Sequence, residues 1–220
     1  MKNIWVIANW KSNKTIAEAL DWISKVGPQI PKADNLKVVV CPAFNALSEV
    51  KKAIEVGGFP LMLGAQDLSP FGLGAYTGEE PAELLSSFVD LAILGHSERR
   101  KNFGETDEII AKKVEQTLAN KIIPLVCVQG EETPVPEGCK LVAYEPIFAI
   151  GSGNSDTPEN VNRMANLFKQ RIDSDLKIIY GGSVNSGNVK SFITQEAISG
   201  VLVGNASLDA QEFIKICRTV

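Results

Sequence analysis

The stretch Lys140 to Gly153, KLVAYEPIFAIGSG, contains an apolar strand that ends on an acidic residue and continues into a glycine-bearing loop. Pro146 ends the strand, while Gly151 and Gly153 permit loop conformations and close ligand approaches that other residues resist. The arrangement places the carboxylate of Glu145 at a strand end, beside a loop able to cover it. The alternative interpretation is an ordinary strand-to-helix connection with a solvated glutamate.

Similar apolar runs occur along the whole chain and alternate with amphipathic stretches. Together they give eight candidate strands: IWVIA, KVVVC, LMLGA, LAILG, IIPLVCV, KLVAY, KIIYGG and GVLVG. Most are apolar throughout, as strands buried on both faces are, and most precede sequence with helical periodicity. Helix starts are indicated by a capping box of Thr15 and Glu18, by Thr106, and by Thr157 before Pro158. The pattern predicts parallel βα units.

The length and composition bound the fold. The chain has 220 residues, 45% of them hydrophobic, which suits one globular domain with a sizeable core. Eight βα units in such a chain favour a closed (β/α)8 barrel over an open doubly wound sheet, because closure removes both sheet edges. We therefore predict an α/β fold with a single TIM-barrel domain over residues 1–220, with the open sheet as the alternative.

The connection between the fifth and sixth strands departs from this pattern. Only eleven residues, Gln129 to Cys139, separate the two strands, and Pro134 and Pro136 within this span oppose a helix. We predict that the helix between strands 5 and 6 is missing. Two or more helical turns in this span would contradict the prediction.

Charge and composition exclude several classes of protein. The formal net charge of -4 provides no basic field to attract nucleic acid. The apolar run Ile4 to Ala8 is too short for a signal peptide or a membrane span, so we expect a cytoplasmic protein with no membrane partner. The cysteines are scattered and form no CxxC pair, which predicts reduced thiols and no metal site: Cys41, Cys127, Cys139 and Cys217.

In barrels of this kind the reactive residues lie at the carboxyl ends of the strands. Four useful side chains fall there: Asn9 and Lys11 after the first strand, His96 after the fourth, and Glu145 after the sixth. A helix predicted to start at His96 disfavours the imidazolium, so the neutral ring is suited to donate a hydrogen bond to a carbonyl oxygen. Taken singly, each has a structural alternative, as a turn cap, a solvated cation or a structural histidine.

Three glycine-bearing turns indicate an anion site. They are Gly151 to Gly153, Tyr180 to Val184 and Val203 to Ser207, and the last two follow strands seven and eight. Loops after these two strands are the usual phosphate-binding place on this fold. Any one turn taken alone is equally typical of a tight βα connection.

At these motifs the chain resembles the triosephosphate isomerases. The resemblance spans nearly the whole length and rests on ANWK at 8–11, GAYTGE at 74–79, GHSERR at 95–100, AYEPIFAIGSG at 143–153 and YGGSV at 180–184. It implies that Glu145 is the catalytic base, His96 the electrophile, Lys11 an electrostatic stabiliser and Asn9 an orienting donor. Substrate-binding residues implied by the resemblance are Asn9, Lys11, Gly151, Ser183, Gly204 and Asn205, with Ser97 and Glu98 supporting the catalytic residues.

The reaction implied by the resemblance interconverts dihydroxyacetone phosphate and D-glyceraldehyde 3-phosphate through an enediolate. It implies no metal or organic cofactor, a loop over residues 146–156 that closes on the site, and a role in glycolysis and gluconeogenesis. The segment Ala65 to Glu79 has little regular pattern, and the resemblance implies that its tip inserts near Asn9 and Lys11 of a second subunit in a homodimer. The implied interface residues are Thr77, Glu79 and Arg99.

Three positions depart from the family pattern. Phe148 stands where tryptophan is usual, Asn205 where a second glycine is usual, and Asp67 where asparagine is usual, and none of these removes a catalytic side chain. Another phosphosugar isomerase or epimerase, a Schiff-base aldolase, and a catalytically silent phosphate-binding barrel stay open as alternatives. The aldolase is disfavoured because Lys11 follows the first strand instead of projecting from within a strand.

Overall fold

The computed structural model describes residues 2–149 and 155–220. Its parallel strands are β1 (Ile4–Asn9), β2 (Leu36–Cys41), β3 (Met62–Ala65), β4 (Leu91–Leu94), β5 (Ile123–Val128), β6 (Leu141–Tyr144), β7 (Lys177–Tyr180) and β8 (Ile198–Val203). They pair in chain order, and β8 pairs back onto β1, with Val6 beside Val201. The closed barrel confirms the predicted TIM-barrel fold and excludes the open sheet.

The apolar strand sequences are explained by burial on both faces. One cluster of buried side chains fills the barrel interior and includes Ile7, Val39, Leu125 and Ile179. The alternate positions of the same strands belong to a second cluster that packs beneath the helices. Because side chains of a strand point alternately to its two faces, both layers require apolar residues, and the runs are nearly continuous.

The helices form the outer layer. They are α1 (Ile16–Val26), α2 (Leu47–Gly57), α3 (Ala82–Leu85), α4 (Ser97–Phe103), α5 (Asp107–Ala119), α6 (Pro158–Arg171), α7 (Val189–Ile193) and α8 (Ala210–Thr219). The capping box of Thr15 and Glu18 at α1 is confirmed, as are the caps of Thr106 at α5 and Thr157 at α6. These starts are local features, because each cap bonds a backbone N–H three residues ahead.

The predicted loss of a helix between β5 and β6 is confirmed. Residues 129–140, all of them described, form turns and bends with no helix. Val135 packs against the core below, and Cys139 is buried. Arg171 at the end of α6 donates to the backbone carbonyl of Glu131. The crossover thus covers this side of the barrel with an irregular segment that is tied to α6.

All four cysteines are buried and free. No helix within residues 2–149 and 155–220 combines the length and the apolar content that a membrane crossing requires.

Candidate active site

The carboxyl ends of β1, β4, β6, β7 and β8 surround a cavity of about 210 Å³. The four side chains predicted to be reactive, Asn9, Lys11, His96 and Glu145, all line it. The turns at 181–185 and 204–206 complete the wall, so predicted residues Ser183, Gly204 and Asn205 also face this space. Gly151, the other predicted binding residue, lies outside the described residues.

Glu145 lies at the centre of the site and is 1% exposed. Its backbone N–H donates to the carbonyl of Val128 (2.8 Å), which extends the β5–β6 ladder by one residue and holds the carboxylate at the strand end. Oε2 accepts a hydrogen bond from the backbone N–H of Ser97 (3.1 Å), and Oε1 lies 3.1 Å from Nε2 of His96. The carboxylate therefore has a defined partner for each oxygen.

His96 is the N-cap of α4 and is 6% exposed. Its Nδ1 accepts a hydrogen bond from the backbone N–H of Glu98 (3.2 Å). A nitrogen that accepts cannot carry the proton, so this bond assigns the neutral tautomer with hydrogen on Nε2. That N–H faces the cavity side of the ring and meets Glu145. The helix start thereby orients a hydrogen-bond donor toward the acid.

Lys11 has a left-handed backbone, with φ of +54°, which is uncommon for a long side chain. Its N–H donates to Oδ1 of Asn9 (3.1 Å), and its carbonyl accepts from Nε2 of Gln66 (2.8 Å). Gln66 also donates to the carbonyl of Cys41 at the end of β2 (2.9 Å). At its far end, Nζ of Lys11 is ion-paired with Glu98. Hydrogen bonds at both the N–H and the carbonyl of Lys11 thus hold its left-handed backbone.

The turn after β7 approaches the acid very closely. A β-carbon at Gly181 would lie 2.7 Å from Cγ of Glu145, and one at Gly182 would lie 2.1 Å from the hydroxyl oxygen of Tyr180. Only residues without a side chain fit there. Ser183 follows, and its Oγ donates to the carbonyl of Ala149 (2.8 Å), which connects this turn to the segment after Glu145.

The predicted interface residues lie on another part of the same barrel end. Thr77 and Glu79 are exposed on the connection between β3 and α3, where residues 66–81 contain neither helix nor strand. Arg99 lies in a charged cluster, where Nη2 is 2.8 Å from Asp67 and Nε is 3.1 Å from Glu105. A second cavity of about 230 Å³ adjoins this cluster and shares part of the wall of the first.

Lys113 completes that cluster. It is 3% exposed, and its Nζ lies 2.6 Å from Asp67 and 2.5 Å from Glu105. Burial raises the pKa of Asp67. Burial also acts to raise the pKa of Glu105, but the hydrogen bonds and positive charges of Lys113 and Arg99 together outweigh it, and that pKa is lowered. The two carboxylates and the two cations Arg99 and Lys113 balance formally.

Sequence reasoning missed Gln66 and did not single out Gly181. Gln66 directly follows β3, so the rule that reactive residues follow the strands could have identified it. Gly181 belongs to the YGGSV motif at 180–184. Its closeness to Glu145, however, joins residues 36 positions apart in the chain and has no local sequence signature.

The arrangement combines a carboxylate, an imidazole N–H and an ammonium group around one small cavity with glycine-bearing turns. Such groups can transfer a proton and stabilise a developing oxyanion. Within residues 2–149 and 155–220, no group of three or more histidine, cysteine, aspartate and glutamate side chains is placed to hold a metal ion.

Comparison with known proteins gives a consistent result. The family model described as "Triosephosphate isomerase" matches residues 4–138 and 135–220, and the two matches meet within the crossover that lacks a helix. A triosephosphate isomerase of Alkaliphilus metalliredigens is 37% identical over 98% of this chain and 99% of its own length. Those of Endomicrobium trichonymphae, 36% identical over 99% of both chains, and Clostridium botulinum, 35% identical over 98% of this chain and 99% of its own, are similar at nearly the same level.

Proposed function

The chain belongs to the triosephosphate isomerase family, and on that premise we propose that it interconverts dihydroxyacetone phosphate and D-glyceraldehyde 3-phosphate. The reaction is an intramolecular aldose–ketose isomerisation. The observation that carries the proposal is the approach of Nε2 of His96 to Oε1 of Glu145 (3.1 Å) inside a cavity bordered by two glycine-bearing turns.

In the proposed mechanism Glu145 removes a proton from the carbon next to the substrate carbonyl. The enediolate that forms carries negative charge on oxygen, which the N–H of His96 and the ammonium of Lys11 stabilise. Glu145 then returns the proton to the adjacent carbon, while the remaining hydroxyl proton moves from one enediolate oxygen to the other. A neutral histidine suits this role because the hydrogen bond at Nδ1 leaves its proton on Nε2.

The substrate phosphate is proposed to bind the turns that hold Ser183, Gly204 and Asn205. Backbone N–H groups in such turns bind anions without a cluster of cationic side chains, in keeping with the net charge of -4. Asn9 and Lys11 are proposed to contact the substrate from β1. Gly151 is assigned to the same phosphate site by resemblance alone.

Residues 146–156 are proposed to close over the bound substrate and exclude water, which protects the phosphorylated enediolate from losing its phosphate. Only 146–149 and 155–156 lie among the described residues. Both ends contact β7 or its turn, through Ser183 to Ala149 and through Tyr180 to Asp156. Tethering the segment open is expected to increase phosphate elimination, and an unchanged amount of side product would contradict the closing role.

The protein is further proposed to work as a cytoplasmic homodimer in glycolysis and gluconeogenesis, without a metal or organic cofactor. The exposed Thr77 on the connection between β3 and α3, and the cavity of about 230 Å³ beside Lys11 and Arg99, are suited to insertion of one subunit into another. Glu79 and Arg99 are proposed to join that interface. Sedimentation at micromolar concentration tests the dimer, and a fully active monomer would overturn it.

The decisive test of the activity is a coupled assay of glyceraldehyde 3-phosphate isomerisation with Glu145→Gln prepared in parallel. Loss of the base is expected to lower kcat by about 10³-fold or more. Glu115→Gln, an exposed change on α5, is the matched control and should keep the wild-type rate. If the unmodified protein binds a triose phosphate but does not turn it over, it is a silent phosphate-binding barrel instead.

A further inference from the structure

Asp156 is a buried carboxylate at the end of the segment 146–156, and its side chain takes no part in the proposed proton transfer. It is 8% exposed and immediately precedes Thr157, the N-cap of α6. Its Oδ1 accepts from the backbone N–H of Thr157 (2.7 Å), and its Oδ2 accepts from Nδ2 of Asn160 (2.7 Å). Both carboxylate oxygens are therefore bound to the first turn of a 14-residue helix, whose N-terminal partial positive charge favours an anion.

The backbone of the same residue makes a different contact. Its N–H donates to the hydroxyl oxygen of Tyr180 (2.8 Å), at the end of β7. Tyr180 is fully buried and stacks on Phe192, with ring centroids 4.3 Å apart. Asp156 therefore links two rigid elements, α6 through its side chain and β7 through its backbone.

The hydrogen bond between Asp156 and Tyr180 is connected to the proposed phosphate site through Gly182. The hydroxyl of Tyr180 lies so close to Gly182 that a β-carbon there would be 2.1 Å from it. Gly182 belongs to the turn that lines the cavity, and the next residue of that turn, Ser183, holds the carbonyl of Ala149. The two described ends of segment 146–156 are thus connected to the same turn, one through Ser183 and the other through Tyr180.

We propose that the carboxylate of Asp156 is a positioning group for phosphate binding, acting through Tyr180 on the turn at 181–183. By fixing its own residue to α6, it holds the N–H on the Tyr180 hydroxyl and so sets the position of that hydroxyl beside Gly182. The inference rests on the proposed isomerase function for the identity of the ligand. It differs from that proposal because Asp156 contacts neither the substrate nor Glu145.

The test uses a pair of substitutions that remove and restore one hydrogen bond. Asp156→Asn leaves one acceptor oxygen for two donors, the N–H of Thr157 and Nδ2 of Asn160, so one of the two hydrogen bonds is lost. The double variant Asp156→Asn with Asn160→Asp restores the bond with donor and acceptor exchanged. At position 160 an aspartate still accepts from Arg163, as Oδ1 of Asn160 does at 2.9 Å from Nη2.

The expected result for Asp156→Asn is about a tenfold rise in KM for glyceraldehyde 3-phosphate, with kcat changed less than about threefold, as loss of one charge-assisted hydrogen bond predicts. The double variant should return KM to within about threefold of wild type. Glycerol 3-phosphate, which carries the phosphate but cannot isomerise, should lose the same affinity in a calorimetric titration. This binding readout tests the inference even if the wild-type protein proves to have no isomerase activity.

Thr106→Ala serves as the control for a purely structural effect, since it removes the cap of a different helix, α5. It should lower the thermal midpoint of unfolding and leave KM unchanged. The inference is overturned if Asp156→Asn leaves both KM and glycerol 3-phosphate affinity unchanged, if the double variant does not recover them, or if Thr106→Ala shifts them equally.

Discussion

Nε2 of His96 lies 3.1 Å from Oε1 of Glu145, although the two residues come from different strand ends, after β4 and after β6. The remaining ring nitrogen is held by the start of α4, and the remaining carboxylate oxygen by the N–H of Ser97. The proposed donor and the proposed base are therefore positioned by one and the same short segment.

His96→Gln is expected to lower kcat by about 10²-fold or more with a much smaller change in KM. The substitution removes a rigid N–H that is aimed at developing charge, and such donors act mainly in the transition state. Steady-state kinetics on the purified variant measure both constants. A variant with wild-type kcat would show that His96 does not stabilise the reaction.

Gly181→Ala is expected to reduce kcat by at least about tenfold, because its β-carbon would lie 2.7 Å from Cγ of Glu145 and must push the base aside. Gly130→Ala is the matched control, since a β-carbon there meets no atom within 4 Å. The coupled isomerisation assay measures kcat for both variants. Equal rates for the two variants would mean that catalysis tolerates a displaced Glu145.

Gln66→Met is expected to raise KM about tenfold, because it removes the donor that holds the carbonyl of Lys11 in its left-handed conformation. Gln66 also borders the proposed dimer cavity, so sedimentation should accompany the kinetics. A raised KM in a protein that keeps the wild-type association state assigns the effect to Lys11. An unchanged KM would show that Lys11 is held without Gln66.

Lys113→Met is expected to lower the free energy of unfolding by about 3–5 kcal/mol, because it leaves Asp67 and Glu105 buried with one cation between them. Lys51→Met removes a surface pair with Glu55 (3.7 Å) and should cost well under 1 kcal/mol. Denaturant unfolding of both variants provides the comparison. Similar losses would argue against a stabilising role for the buried cluster.

Tyr180 predicts a specific alkaline destabilisation. Burial raises its pKa from 10.0 to about 12, so above pH 10 the unfolded chain loses this proton while the folded chain keeps it. The free energy of unfolding should therefore fall with rising pH by up to about 1.4 kcal/mol per unit between pH 10 and 12. Tyr180→Phe should reduce this slope, and identical slopes in the two proteins would contradict the prediction.

The sequence by itself determined the barrel and the residues on its rim. Strand runs, the capping box at Thr15 and the prolines at 134 and 136 act through neighbours a few residues away, so their structural consequences can be predicted locally. The structure accordingly shows both the closed barrel and the absence of a helix between β5 and β6. The rule that reactive residues follow the strands also located Asn9, Lys11, His96 and Glu145 around one cavity.

Only the tertiary structure decided which groups hold those residues in place. Gln66 on Lys11, Gly181 against Glu145 and Asp156 on Tyr180 are contacts between residues 24 to 55 positions apart. The same is true of the ion pair between Arg99 of α4 and Asp67, which follows β3. Distances of this kind arise from barrel closure and strand register, which bring together side chains with no shared local pattern.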